Sequence, residues 1–530
     1  MASRLGAGLG VSRRSFLEGL SSVGGSALLM AGMSALGFGI ASAQETPPAL
    51  SGGGGKKVVV LGAGVAGMTA AYELGKAGYD VTVLEARSFA GGRCQTARKG
   101  FKLTELGGDT QVCDFDEGLY INHGPWRIPY HHRSTLHYTK EFNVPLEVFV
   151  NDNDASYVMF DKGTGPLAGK PVRKGQIAAD IRGGAAEMLA KLAKQGALDA
   201  QMSADDRDQF IAYLSQEGYL TPDLAYKGTD GRGFDVNPGA LMVPGPGKPS
   251  TPFAFADVLH SKAWRTLASV TNYEQQRTMF QPVGGMDRIA KGFSDALGSK
   301  ISYSCLVKKV RQNDKGVEVT YADATGQTQV LKADYCICAM PLSVVRQLDF
   351  QVSKPFKEAI SQVSYALVGK IGLQMKRRFW EEDHHIYGGH VYFDDPDINS
   401  MSLPSTGWQS KKGVILGYYQ FGANAAKVSA LSPADRQALA AKAGTKVFPE
   451  FGDNVETSFS AAWHRIEHNL GGWAQWSDEA RRDAYPILCE PDGRIYLAGE
   501  HMSYLPGWQA GGIESAWAQI AKLHARVHAA

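Results

Sequence analysis

KKVVVLGAGVAGMTAAYELGKAGYDVTVLEARSFAGG, residues 56–92, sets an apolar run, a glycine-rich turn, a helical stretch and a strand ending in an acid in unbroken order. Val58, Val59, Val60 and Leu61 admit nothing polar, as a strand buried on both faces of a parallel sheet requires. Gly62-Ala63-Gly64-Val65-Ala66-Gly67 follows at once. In such a turn Gly62 permits the sharp bend, Gly64 lets backbone approach a pyrophosphate, and Gly67 lets the next helix pack closely on the strand. Val65 and Ala66 open that helix, expected over about residues 66–77, whose amide-rich N-terminus points at the phosphates. The second strand, residues 80–84, ends at Glu85, 18 residues after Gly67. A carboxylate there accepts a ribose hydroxyl and disfavours a 2′-phosphate. One glycine triplet alone fits a surface loop equally well; strand, turn, helix, strand and acid together make a dinucleotide site, with NAD and FAD both open.

At 530 residues the chain exceeds a single ordinary core, so two or three domains are expected. Apolar residues at 44% and charged residues at 20% mark a globular protein. The N-terminus differs. Ser12-Arg13-Arg14-Ser15-Phe16-Leu17 precedes residues 19–44, 26 positions without a charge, and Ala41-Ser42-Ala43 supplies a small-residue cleavage pattern. Residues 1–43 look like a twin-arginine export signal, which implies the Tat translocase as a transient partner and a periplasmic or secreted location. The alternative is a transmembrane anchor, but the Gly, Ser and Ala content makes the stretch only moderately apolar, and no stable membrane insertion is expected after its removal. Removing it takes away Arg4, Arg13, Arg14 and Glu18, leaving 52 residues of each sign and a net charge of zero. Neutrality argues against a nucleic-acid partner.

Residues 44–55 read as a Pro/Gly/Ser linker. Residues 151–274 read as an inserted, partly helical subdomain, with Gly/Pro-rich loops such as LMVPGPGKPSTP between helical stretches. Strand signals return near residues 301–320, 333–340 and 494–498, and residues 511–526 read as a helix. The nucleotide domain is therefore assembled from 56–122, 275–345 and 455–530, with a substrate domain from 123–150 and 346–454. The six cysteines show no zinc spacing; Cys336 and Cys338, alternating in DYCICAMP, point to one face as buried thiols. His131-His132 and His384-His385 lack coordinating partners at useful spacing and read as surface pairs, so no metal is expected.

Several distant segments are similar to the flavin monoamine oxidase and L-amino-acid oxidase family, and the resemblance turns the dinucleotide site towards FAD. Ala86-Arg87, then Gly91-Gly92-Arg93, extend the first motif as in that family, whose Gly-Gly-Arg segment runs beside the cofactor diphosphate. Phe280-Gln281-Pro282-Val283-Gly284-Gly285-Met286-Asp287 resembles its PxGGM turn, and residues 301–310 resemble the strand whose backbone, about Val307, meets the adenine. Tyr496-Leu497-Ala498-Gly499-Glu500-His501 and Pro506-Gly507-Trp508-Gln509-Ala510-Gly511-Gly512-Ile513 resemble its closing segment, in which Glu500 contacts the ribityl or ribose side and the helix start aims at the flavin. The resemblance implies an α/β protein with a Rossmann-like FAD-binding domain of the GR2 type, a mixed-sheet substrate domain and an inserted helical subdomain. Where covalent members carry a cysteine, this chain reads Gly471-Gly472-Trp473, so the FAD is expected to be noncovalent.

Tyr120-Ile121-Asn122-His123-Gly124-Pro125-Trp126-Arg127-Ile128-Pro129 resembles the G-x-x-R-[IL]-P segment of L-amino-acid oxidases, whose arginine binds the substrate carboxylate. A guanidinium offers the planar two-donor fork that a carboxylate matches. A plain amine presents no anion, so Arg127 favours amino acids over amines; the alternative is an arginine in a surface ion pair. The resemblance also implies that Gly124, Pro125, Trp126 and Arg127 border the cofactor. Lys370 lies amid apolar residues, where an unpaired ammonium is costly. In the family a lysine here holds a water beside the flavin and assists reoxidation by oxygen. Trp508 stands where the family sets an aromatic ring against the flavin, and Tyr418 and Trp473 are further pocket candidates. Together these rings suggest room for a large or aromatic side chain. The implied reaction is FAD-dependent oxidative deamination of an L-amino acid by oxygen, giving a 2-oxo acid, ammonia and hydrogen peroxide, in a homodimer. The alternative is a flavin amine oxidase whose substrate lacks a carboxylate.

Overall fold

The computed structural model describes residues 45–243, 245–270, 272–395 and 397–529; the export-signal reading of residues 1–43 lies outside them. The opening motif builds the centre of a five-stranded parallel sheet. Its order is Ile301–Ser302, Asp80–Leu84, Lys57–Leu61, Tyr335–Cys338, Ile495–Leu497. Val58 pairs with Val81 on one side and Tyr335 on the other. Both faces are covered, which is why the central run carries no polar residue. On one face Val58 and Val60 pack with helices Val65–Lys76, Asp287–Leu297 and Gln509–Ala529 through Leu74, Phe293 and Trp517. On the other, Val59, Leu61, Cys336 and Cys338 meet Val310, Val319 and Phe356 from a mixed four-stranded sheet and the helix Lys354–Ser361. Cys336 and Cys338 are free thiols on that one face, and burial pushes both pKa values up.

From Lys57–Leu61 the sheet grows outwards both ways, so the C-terminal ends of the strands open a crevice at the point where connections diverge. A second, seven-stranded sheet closes that crevice. Its order is Val455–Ala462, Val368–Met375, Gly413–Phe421, Ser400–Ser402, His390–Phe393, Tyr157–Met159, Val172–Arg173. One face packs Ile371, Leu373 and Ile415 against Ala440, Ala443 and Val447 of the helix Pro433–Val447. The other turns Val368, Val414 and Leu416 towards the nucleotide domain.

The boundaries expected from sequence cut through this sheet. Tyr157–Met159 and Val172–Arg173, read as part of the helical insertion, form one edge, and Val455–Ala462, read as nucleotide domain, forms the other. Two- and three-residue strands are too short to show a period of two, and their partners are far away in sequence. The insertion itself is a helical layer of Lys174–Lys194, Ala204–Glu217 and Phe255–Ser261. It is held by a buried ion pair, Arg232 Nε to Asp180 Oδ1 at 2.6 Å. Its flanks are joined by the antiparallel pair Leu146–Val150 and Thr278–Pro282.

Candidate active site

A single cavity of about 410 Å³ runs along the crevice between the two sheets. At its nucleotide end, Gly62, Gly64, Val65 and Ala66 face it at the start of the helix Val65–Lys76. Gly64 caps that helix without a side chain and the first turn holds no acid, so its amides and positive dipole are left to an anion. Gly67 lies behind: a Cβ there would meet the Gly62 carbonyl oxygen at 2.1 Å, so only glycine lets helix and turn close up. Glu85 accepts the Ala63 amide at 2.7 Å and the Arg87 amide at 2.9 Å, which fixes its carboxylate on the cavity wall beside Ala86. Arg87 donates to Asn469, and Val307 lines the same end.

In the middle, Gly92, Arg93, Gly499 and Glu500 come together from opposite ends of the chain. Arg93 Nη1 donates to Glu500 Oε1 at 2.7 Å and to the Gly472 carbonyl at 2.8 Å. Glu500 also accepts the amides of Ala474 and Gly507, so this carboxylate ties three segments around the cavity.

The far end is aromatic and carries the cations. Ile128 exchanges backbone hydrogen bonds with Phe280, which sets Trp126 and Arg127 at the wall. Arg127 Nη2 donates to Gln275 Oε1 at 2.7 Å, its Nε is buried with no partner, and its guanidinium lies 5.0 Å from the Trp126 ring. Among the described residues no carboxylate pairs with it, which excludes the surface ion-pair alternative. Lys370, 1% exposed, shares a strand face with Val368 and donates to the carbonyls of Gly124 at 2.5 Å and Asn122 at 3.3 Å. Its Nζ stands 4.2 Å from the Tyr419 ring. Burial and the neighbouring Arg127 push its pKa well below the ordinary lysine value, favouring the neutral amine. Trp473, Phe421 and Trp508 complete the walls, and Trp508 Nε1 donates to Glu274 at 2.7 Å.

The sequence profile of the flavin containing amine oxidoreductases matches residues 65–519. The chain belongs to this family. Among relatives it is 28% identical to the L-amino-acid oxidase of Protobothrops flavoviridis over 487 residues, 87% of each chain. It is 27% identical to that of Pseudechis australis over 478 residues, 87% of this chain and 85% of the relative. Among solved structures, cyclohexylamine oxidase from Brevibacterium oxydans IH-35A superposes with a TM-score of 0.59 at 16% identity, over 89% of this chain and 99% of that one. Putrescine oxidase bound to putrescine gives 0.58 at 17%, over 90% and 99%. These structural likenesses establish the fold.

As a flavin-containing amine oxidoreductase the chain requires a nucleotide cradle, and the uncapped helix with its glycine turn fits one. Most residues singled out from sequence line the one cavity, from Gly62 and Glu85 at one end to Arg127, Lys370 and Trp508 at the other. Gly67 and Ile513 are packed behind it, with Gly512 at the wall in place of Ile513. Tyr418 must be corrected. It is 2% exposed and packs into the opposite core, because the register slips at Gly417: Ile371 pairs with Tyr418 while Gly372 pairs with Leu416. The bulge inverts the alternation, so Tyr419 and Phe421 face the cavity in its stead. His132 is corrected too: it is 2% exposed, lines the cavity and meets Trp508 edge-on at 4.8 Å. Glu274, Gln275 and His468 also line it and were not singled out from sequence. They sit in irregular chain, where no periodicity announces a facing.

Proposed function

We propose that the protein is an FAD-dependent L-amino-acid oxidase that converts an L-amino acid, water and oxygen to a 2-oxo acid, ammonia and hydrogen peroxide. The observation that carries this reading is Arg127, a cavity-wall guanidinium whose side-chain hydrogen bond, among the described residues, goes to the neutral Gln275 and to no carboxylate. A buried cation without a counterion favours an anionic ligand, and a substrate carboxylate can take up its fork in exchange for Gln275. The L-amino-acid oxidases among the relatives support the same reading, with the aromatic walls leaving room for a large side chain.

A flavin held in this cavity would supply the two-electron redox chemistry of the reaction. The chain's own residues orient, exclude water and handle protons. Arg127 fixes the carboxylate, and Trp126, Tyr419 and Trp473 exclude bulk water from the amine and Cα. Lys370, held by two carbonyls and with its pKa pushed well below the ordinary lysine value, can hold a water and move a proton at Nζ during the return to the oxidised state. Glu85 and Val307 suit the adenosine half of FAD, and the helix start at Val65 suits its diphosphate. The FAD is held without a covalent bond. Export through the Tat pathway would keep the peroxide outside the cytoplasm.

The test is peroxide release from the purified holoenzyme with the twenty L-amino acids and with simple primary amines, repeated on Arg127→Ala. Stoichiometric peroxide and 2-oxo acid are expected, with KM for the amino acid raised about 100-fold or more in the variant. Oxidation of a primary amine alone, indifferent to Arg127→Ala, would show that Arg127 is structural and the substrate a plain amine.

A further inference from the structure

Three carboxylates line the cavity, and two are already engaged by the chain. Glu85 holds two backbone amides, and Glu500 holds Arg93 and two more. The third, Glu274, has one hydrogen bond, from Trp508 Nε1 at 2.7 Å, and no ion-pair partner among the described residues. It stands at the substrate end, next in sequence to Gln275, which touches Arg127. The same cavity is lined by two buried polar groups with nothing to bond among the described residues. His132 Nε2 and Thr135 Oγ1 belong to cavity-lining residues exposed by 2% and 1%, and neither atom has a partner. His132 meets the same Trp508 ring that Glu274 holds.

Accepting the amino-acid reading above, on which this rests, we propose that the side-chain subsite is built for a cation: the substrate is an L-α-amino acid whose side chain ends in an amine or guanidinium, received by Glu274, with His132 and Thr135 as further hydrogen-bond acceptors. An uncompensated carboxylate in a partly desolvated wall favours a cationic partner, and an apolar side chain would leave the orphan imidazole and hydroxyl unpaired. The Trp508 face adds a surface to which a cation is drawn. Burial pushes the His132 pKa down to about 3, so the imidazole stays neutral and does not repel such a head group. Arg127 and Glu274, both on the walls of the substrate end, thus offer opposite charges to the carboxylate and the side-chain cation of a basic amino acid bound with its α-amine neutral. The large side chain suggested by the aromatic walls acquires a charged tip.

The test uses charged and uncharged pairs on the holoenzyme: L-lysine against L-norleucine, which is one heavy atom shorter, and L-arginine against its isostere L-citrulline, with cadaverine and agmatine as decarboxylated controls. The expected result is a kcat/KM preference of about 30-fold or more for each cationic member, collapsing towards one in Glu274→Gln. The amide keeps an oxygen for Trp508, so a ratio that collapses reports charge recognition, whereas a uniform loss across all four substrates reports only the positioning of Trp508 and overturns the proposal. A wild-type preference for norleucine or citrulline overturns it as well, leaving an amino-acid oxidase of different specificity. Turnover of cadaverine and agmatine as fast as lysine and arginine overturns the amino-acid reading itself.

Discussion

Lys370 occupies a position where an ammonium is least stable. It is almost fully buried, feels the like charge of Arg127, and among the described residues has carbonyl oxygens but no carboxylate within reach. Apolar packing alone would favour a methionine of similar length, so the retained amine points to a proton-handling task. Lys370→Met should therefore leave the fold and the anaerobic bleaching of the flavin by substrate in place while slowing reoxidation in air about 100-fold, measured by stopped-flow absorbance. Equal reoxidation rates in the two proteins would remove Lys370 from the oxygen step. Lys370 was legible in the sequence because a lone charge in AlaLeuValGlyLysIleGlyLeu is conspicuous. Tyr418 was misread for the opposite reason. Two adjacent tyrosines differ only in parity, and parity is decided by a bulge at Gly417 that depends on pairing with a strand some forty residues earlier. Glu274 and Gln275 carried no signal at all, since their facing is fixed by contact with Trp508 and Arg127 and by no local period.

At the scale of elements, the strand, turn and helix at residues 57–76 could be read without a structure because every constraint on them is local: apolar run, glycine spacing, helix start. The seven-stranded sheet could not, because its strands come from three separate regions of the chain. Between these units lies the segment Gly471-Gly472-Trp473, which closes the cavity against the strand Val368–Met375. A Cβ at Gly472 would meet Val368 Cγ2 at 2.5 Å, so the strand leaves no space there for a thiol side chain. The two cysteines that do line the cavity are occupied otherwise: Cys94 Sγ donates to the Met286 carbonyl and Cys305 Sγ to that of Tyr303. Acid precipitation of the holoenzyme should accordingly leave the yellow chromophore in the supernatant, with a mass and chromatographic mobility matching FAD. Flavin retained in the pellet after washing in denaturant would mean a covalent link.

The molecule as a whole buries an unusual set of neutral imidazoles along the seam between its two large sheets. Desolvation pushes His123 and His132 down to about 3 and His501 to about 4, and it pushes His390, which also faces Arg127 and Lys174, well below its ordinary value. Unfolding returns each to its ordinary value of about 6.5, at which the unfolded chain takes up protons that the folded protein refuses. The sign follows. Above about pH 6.5 both states bind the same protons at these sites and stability is at its plateau; as pH falls from there towards the folded-state values, the unfolded form is favoured by about 1.4 kcal/mol per pH unit for each histidine it protonates. Four such groups titrating together make the loss steep between pH 6 and pH 4. The melting temperature of the holoenzyme should hold steady from pH 8 to pH 7 and drop by about 5 °C or more by pH 5. His501, whose two ring nitrogens have no hydrogen-bond partner among the described residues, identifies the cause: His501→Asn should flatten the slope while its plateau stability is compared at pH 8. A melting temperature unchanged between pH 7 and pH 5 would mean that water reaches these imidazoles freely, and that the seam which positions Arg127 and Lys370 is open to solvent.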